Sequence, residues 1–352
     1  FTGGLNNPRI QWIDWDQDSL DDLFILDEDG YIRYLRNVSE DENIRFEVVS
    51  ANYFNIYAGS WFYLHDFDSD LDYDLITRNS VDSAHLTYYQ NNNNVFDYIN
   101  IITTIDGDPV ISDPVVTPTF SDIDNDGDVD FFTGNLIGTV TYYNNQGLSQ
   151  DNIPTYEYIT DFWEDISIIG PSQRHGASAI NFIDLDGDLD LDLSWGDYFQ
   201  QSLYIVWNIG TPDSADMNIT DISQQYPVND PINTAGQNMP SFTDLDLDGD
   251  KDLFITVLSG AYGTQWVNNF IHYENIGSST VPIYEYKTSD FLNSIDLLLY
   301  ASPELHDIDG DGDLDLFVGT MIDPSENPWT GRIHRFENIS TSEEVMFDWV
   351  DN

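Results

Sequence analysis

Asp307-Ile308-Asp309-Gly310-Asp311-Gly312-Asp313-Leu314-Asp315 places five carboxylates at alternate positions of one short stretch, and the apolar run Leu316-Phe317-Val318 follows at once. Like charge at that density opposes a tight loop. Two carboxylates ~5 Å apart in water repel by about 0.8 kcal/mol, so four converging side chains, with six pairs, cost about 5 kcal/mol per loop. A hard divalent cation with oxygen ligands reverses that sign, and calcium is the usual one.

The pattern occurs six times. It begins at Asp14, Asp66, Asp122, Asp184, Asp244 and Asp307, so successive starts lie 52, 56, 62, 60 and 63 residues apart. Every copy has Asp at loop positions one, three, five and nine. These are Asp14, Asp16, Asp18 and Asp22; Asp66, Asp68, Asp70 and Asp74; and Asp122, Asp124, Asp126 and Asp130. The remaining copies supply Asp184, Asp186, Asp188 and Asp192; Asp244, Asp246, Asp248 and Asp252; and Asp307, Asp309, Asp311 and Asp315. Asp128, Asp190, Asp250 and Asp313 add a carboxylate at position seven and belong to the candidate ligand set. A period of this size means a repeat architecture.

Each repeat follows one plan. A short strand such as Ile10–Ile13 leads into the acidic loop, and a second such as Leu23–Leu26 leaves it. A third ends in Asn, at Asn37, Asn91, Asn144, Asn208, Asn275 and Asn338. A more polar fourth strand, such as Thr155–Tyr158, closes most repeats; in the fourth repeat it is poorly marked, around Met217–Ile222. These segments are short, β-branched or aromatic, and bounded by turn residues. Four strands per repeat, six times over, without helical periodicity, predict an all-β fold: a β-propeller of four-stranded blades. The expected organisation is a single domain, 1–352, with blades at roughly 8–60, 61–116, 117–177, 178–238, 239–301 and 302–352. A seventh blade would have to come from outside this chain.

Composition bounds the partners. The 352 residues carry 64 Asp and Glu against 10 Lys and Arg, a formal charge of −54. The six loops hold 30 of those acids; six divalent cations would leave about −42. Such a surface argues against nucleic acid and anionic membranes, which need a basic footprint. With 41% hydrophobic residues and 50 aromatics, there is ample material for a core, so the acidity does not mean disorder. No run of 18 apolar residues suggests direct membrane insertion. Cys is absent, which by itself says nothing of compartment. The start, Phe1-Thr2-Gly3-Gly4, fits either a removed signal peptide or a piece of a longer chain. A salty, calcium-rich exterior suits the charge, so the expected location is secreted or at the cell surface.

An EF-hand also begins Asp-x-Asp-x-Asp-Gly, but it needs a bidentate Glu at position twelve and flanking helices. Here position twelve is Ile25, Thr77, Thr133, Trp195, Ile255 or Val318, and strands flank the loop. A better fit is a loop in which positions one, three, five and nine give side-chain oxygens and position seven a backbone carbonyl. Gly127, Gly249 and Gly312 permit a sharp turn at position six. Ser19, Leu71 and Leu189 stand there in the other repeats, where sites are expected to be weaker or distorted. The bland alternative is that the acidic runs are solvated turns, which does not account for six copies of one spacing.

These residues resemble the FG-GAP / VCBS repeat family, which includes the propellers of integrin alpha subunits and many bacterial surface proteins. The resemblance covers nearly the whole chain, and the Phe-Thr-Gly-Gly-Leu-Asn-Asn-Pro opening is also similar to the start of such arrays in exported bacterial proteins. It implies structural calcium, up to six ions, in hairpin loops between the first two strands of each blade. It fixes fold and metal better than function, since the family spans adhesins, lectin-like modules and some propeller polysaccharide lyases.

Three functions stay open: a binding or adhesion module for a glycan or surface protein, a polysaccharide lyase, and a structural subunit of a larger surface assembly. Connections between second and third strands lengthen in the last two repeats and carry Tyr262, Gln265 and Trp266, then Trp329; the fourth repeat adds Tyr198, Phe199 and Gln200. Aromatics beside amides suit sugar rings or a protein edge, although rings of this kind also serve as ordinary cover for blade edges. Arg174 and His175 stand in an inter-blade link and, with Tyr300, could supply a lyase with cation and base. No hydrolase triad, zinc motif or phosphate loop appears, so binding is favoured over catalysis. His65 and His306, each just before a first loop Asp, read as structural.

Overall fold

The computed structural model describes residues 4–40, 43–168, 176–297, 300–321, 330–341 and 346–351. It is built from antiparallel sheets, one per repeat. The first holds β1 (Arg9–Ile13), β2 (Asp22–Leu26), β3 (Ile32–Asn37) and β4 (Phe46–Ser50). The second holds β5 (Phe62–His65), β6 (Asp74–Arg78), β7 (Leu86–Asn91) and β8 (Phe96–Ile101). In the third, β10 (Thr119–Ser121), β11 (Asp130–Gly134), β12 (Val140–Leu148) and β13 (Pro154–Thr160) are joined by β9 (Thr103–Thr104), which runs parallel to β13.

The fourth sheet is three-stranded, with β14 (Ser178–Ile183), β15 (Asp192–Asp197) and β16 (Tyr204–Val206). The expected fourth strand near Met217–Ile222 is reduced to isolated bridges, Asn208 with Met217 and Ile205 with Ser223. Apolar and polar residues alternate only from Met217 to Thr220, and Asp221 breaks the pattern that would hold a strand edge. The fifth sheet contains β17 (Asn238–Thr243), β18 (Asp252–Val257), β19 (Phe270–Asn275) and β20 (Tyr284–Thr288). The sixth contains β21 (Ser302–His306), β22 (Asp315–Gly319), β23 (Ile333–Asn338) and β24 (Phe347–Asp351).

Register explains the acidic spacing. In every repeat the position-nine Asp is the first residue of the second strand and pairs with the residue just before the loop: Ile13 with Asp22, His65 with Asp74, Ser121 with Asp130, Ile183 with Asp192, Thr243 with Asp252, His306 with Asp315. The acidic stretch is therefore an eight-residue hairpin loop closed by its ninth carboxylate. Second strands β2, β6, β11, β15 and β18 are buried along their whole length, which is why they read as short continuous apolar runs.

The chain forms two compact units. One comprises Leu5–Leu292 and holds the first five sheets; the other comprises Asn293–Asn352 with Phe1–Gly4 and holds the sixth. Within Leu5–Leu292, each sheet packs on the next. Gln11 and the backbone of Leu64 exchange two hydrogen bonds, at 2.7 and 2.8 Å. Tyr63 Oη donates to the Phe120 carbonyl at 3.3 Å, Thr117 bridges to Ala179, and Asn181 Nδ2 donates to the Pro240 carbonyl at 3.2 Å.

The fifth sheet then meets the first. Ile10, Trp12 and Leu23 share one apolar cluster with Met239, Leu245 and Phe254. Thr243 Oγ1 donates to Asp21 Oδ2, and Asn269 Nδ2 to the Leu5 carbonyl. Within Leu5–Leu292 the contacts thus run from the first sheet through to the fifth and back to the first. The first strands of these five sheets line a cavity of about 500 Å³.

Candidate metal centres

The six loops share one backbone. Positions four and six adopt positive φ in each: 60° to 62° at Gln17, Ser69 and Leu247, 56° at Asn125, and 77° at Ser19, Leu71 and Leu189, with glycines at the remaining places. The non-glycine loops are therefore not distorted at position six. They hold the same left-handed turn at a conformational cost, because a Cβ crowds the following carbonyl there.

Side chains and amides then interlock. The position-one carboxylate accepts the amide of position six at 3.1 Å in the first five loops. The position-five carboxylate accepts the amide of position seven at 2.9–3.1 Å in all six. These bonds aim the remaining lone pairs of positions one, three and five at a common point. Ligand atoms of Asp14, Asp16 and Asp18 lie within 4.8 Å of one another, as do those of Asp66, Asp68 and Asp70, of Asp122, Asp124 and Asp126, and of Asp244, Asp246 and Asp248. In the fourth loop the trio is Asp184, Asp186 and Asp192. Oxygens 2.3–2.6 Å from a calcium ion fall at such separations.

Position nine is more deeply placed than the others. Asp22, Asp74, Asp130, Asp192, Asp252 and Asp315 are 0–3% exposed. Each accepts the backbone N–H of an Asn on, or just past, the third strand, at 2.7–3.1 Å. In five repeats that Asn returns its side-chain Nδ2–H to the carbonyl of loop position eight, at 3.0–3.3 Å. In the third repeat the residue so used is Asn145, not Asn144 as the sequence pattern suggested. Asn144 makes a longer bond to Asp130, 3.3 Å, from its side chain.

Sequence reasoning missed a further partner, three residues before the Asn. Tyr34, Tyr88 and Tyr142 donate their hydroxyls to Asp22, Asp74 and Asp130 at 2.7–3.0 Å. In the fifth repeat His272 takes this place, 3.6 Å from Asp252 and stacked on Phe254; in the sixth, Arg335 lies 3.5 Å from Asp315. A register shift between third and fourth strands follows this residue in all five of these repeats. A bulge re-aims a side chain, and here it turns one toward the ninth carboxylate. In the fourth repeat the place belongs to Ile205, a buried apolar residue. The constant offset of three was present in the sequence as a signal.

The electrostatics are those of crowded anions. Burial pushes Asp74, Asp130 and Asp192 up to about 7, against the lowering pull of their amide donors. Asp128, Asp190 and Asp250, at position seven, rise to about 6, from burial first and then from the carboxylates at position five and its neighbours. Position-seven side chains thus face the same charged pocket, beyond the backbone carbonyl expected of them. Asp68, Asp72, Asp124, Asp190, Asp244 and Asp250 each keep a buried oxygen without a hydrogen-bond partner. Such orphans call for an ion or water. The all-oxygen, multiply anionic donor set fits calcium.

The other predicted site residues separate into three groups. Tyr198, Phe199 and Tyr262 come together from the fourth and fifth repeats: the rings of Tyr198 and Phe199 meet edge-on at 5.0 Å, and Tyr262 Oη donates to the Phe199 carbonyl at 3.3 Å. A Cβ on Gly260 would lie 2.5 Å from the Ala235 carbonyl and 2.7 Å from that of Tyr198, so only glycine lets these loops approach. Tyr262 remains 53% exposed. Trp266 is half-buried, and the amides of Gln200 and Gln265 are spent on backbone carbonyls. Arg174, His175 and Trp329 lie outside the described residues, and Tyr300 is exposed.

No family model matches the chain. No curated protein matches it either. Among solved structures, one of the Photorhabdus luminescens Tc holotoxin pore is similar over 95% of this chain, at 14% identity and a TM-score of 0.40; the chain spans 15% of that one. A structure of BBS1N in complex with ARL6DN is similar over 99% of this chain and 83% of its own, at 10% identity and a TM-score of 0.29. Among the described residues no helix is long and apolar enough to cross a membrane.

Proposed function

We propose that this chain is a calcium-stabilised β-propeller of the FG-GAP / VCBS type, exported to the cell surface or beyond, where it binds a glycan or a protein. The observation that carries the metal reading is the set of buried, unpartnered carboxylate oxygens inside loops whose other oxygens are fixed by backbone amides. A structural ion cancels the repulsion and pins the first hairpin of each sheet. The propeller reading is supported by sheet-to-sheet contacts that return from the fifth sheet to the first.

The binding reading rests on the exposed cluster of Tyr198, Phe199 and Tyr262, displayed by loops that hold one another through backbone hydrogen bonds. Rigid rings with one polar edge stack on sugars or anchor a protein partner at low entropic cost. Two measurements test the proposal. Excess chelator should lower the melting temperature steeply, with metal analysis giving up to six calcium ions per chain; an unchanged melt would end the metal reading. A glycan array and a surface-protein panel, probed with calcium present, should show retention that Tyr262→Ala weakens at least tenfold; equal retention by the variant would remove the patch from the site.

A further inference from the structure

Only ten residues of this chain are Lys or Arg. Two of them, Arg9 and Arg78, lie within the five-sheet unit in the neighbourhood of Trp61. Trp61 and Arg9 both line the cavity enclosed by the first strands, and the Arg78 guanidinium lies 5.7 Å from the centre of the Trp61 ring.

Arg78 is accounted for. It is 2% exposed, and its terminal nitrogens donate to the carbonyls of Ser83, Ser112, Asp113 and Val116 at 2.8–3.4 Å, tying down the link to the third sheet. Arg9 is not. The Nε of each arginine is buried without a partner, but where the Arg78 terminal nitrogens make four hydrogen bonds, those of Arg9 make one among the described residues, from Nη1 to the Asn7 carbonyl at 2.9 Å. The nearest acids are engaged elsewhere, Asp27 by the amides of Asn6 and Asn7 and Glu28 by the Asn7 side chain. Neither arginine forms an ion pair with a described residue. Burial brings both guanidinium groups down to about 10, and Arg9 adds to the effect on Arg78. Asp27 and Glu28 support the Arg9 charge, and Asp113 that of Arg78, only across a distance, and burying two such cations without an ion-pair contact is costly, in a chain with acids to spare.

We propose that the cavity is a binding site for a small organic carboxylate, held by the free edge of the Arg9 guanidinium beside the Trp61 ring. The planar fork of Arg matches a carboxylate in a two-point contact. The volume, about 500 Å³, is in the range of small-molecule sites. Thr117 and Ser241 add hydroxyls to the wall, whereas Gln11 and Asn181 are occupied in joining sheets. The cavity does not include the Tyr262 cluster, but its wall also carries Asp184 from the fourth acidic loop and Asp250 with Lys251 from the fifth, carboxylates that the saturating calcium of the test would neutralise. It depends on the five-sheet unit and not on the glycan reading.

The test uses the whole chain in saturating calcium. Glucuronate and N-acetylglycine are titrated separately, as a sugar acid and a peptide-like carboxylate, with glucose and inorganic phosphate as controls; melting temperature and calorimetric heat are the readouts. At least one carboxylate should raise the melting temperature to saturation, and Arg9→Gln should weaken its binding at least tenfold while the chelator response stays intact. Ser241→Leu, which narrows the cavity from the fifth sheet without touching Arg9, should weaken it as well. No response to either acid, an equal response to glucose, a response to phosphate alone, or unchanged binding in both variants would overturn the proposal, and each of these would leave the calcium result standing.

Discussion

Asp130 Oδ1 accepts the backbone N–H of Asn145 at 2.7 Å, and Asn145 Nδ2 donates back to the carbonyl of Val129, the residue before that Asp, at 3.0 Å. Two strands are thereby clasped at the base of an acidic loop, and the ninth carboxylate is oriented by the protein's own hydrogen bonds. Asn145 Oδ1 also accepts the Gly147 amide at 2.8 Å. Asn145→Ala removes both side-chain bonds. It should destabilise the chain by about 2 kcal/mol, at about 1 kcal/mol per bond, measured from denaturant midpoints in calcium. Asn144→Ala should cost less, and the reverse order would mean that Asn144 is the clasp.

The tyrosine partners make a second case. Tyr88 Oη donates to the buried Asp74 at 2.7 Å. Tyr88→Phe keeps the ring and deletes a hydrogen bond to an anion, a loss of about 2 kcal/mol. Calcium affinity should fall too, because the carboxylate then swings more freely. Isothermal titration of the variant with calcium checks this, and an unaltered titration would show that the hydroxyl serves packing alone.

Position six offers a gain of stability. Leu71 and Leu189 sit at φ 77° with their side chains 81% and 75% exposed, so they contribute little packing to offset the strained backbone. Leu71→Gly or Leu189→Gly should stabilise the calcium-bound chain by about 1 kcal/mol each. The control is Gly127→Leu, at φ 95° with open space around it, which should cost about the same. Denaturation curves decide, and a destabilised Leu71→Gly would refute the strain.

The metal-free chain should show an inverted pH dependence. Asp74, Asp130 and Asp192 are pushed up to about 7 by burial, against an ordinary value near 3.8. A carboxylate raised on folding contributes stability that is complete below its unfolded value and disappears as pH climbs through its folded one. In chelator, these three groups should therefore lower the melting temperature progressively from about pH 4 to about pH 7. With calcium bound they are held ionised, and that decline should vanish. Calcium binding near pH 6 should also release protons, seen as a buffer-dependent heat. A metal-free melt that is flat across this window would contradict the burial.

Residues near one another in the chain determined the hairpins. The Asp spacing at positions one to nine dictates loop length and strand start, since both follow from local spacing, with the ninth Asp paired to the residue before the loop. The second strands were legible for a related reason: a segment buried on both faces is apolar throughout. The apolar pattern could not tell Asn144 from Asn145, because the choice depends on a bulge against the fourth strand. Nor could it place Tyr34, Tyr88 and Tyr142 against their carboxylates, since contacts 12 to 14 residues apart need the sheet to exist first.

What the chain alone left undecided is everything set by packing between repeats. Six similar repeats carry nearly equivalent apolar faces, so composition cannot say which meets which; the shapes of Trp12, Phe254 and Phe270 bring the fifth sheet onto the first. The same packing gathers Tyr198, Phe199 and Tyr262 into one surface and sets Arg9 in the wall of a cavity. Each of those outcomes rests on atoms far apart in sequence, whose free energies of burial are realised together only in the folded chain.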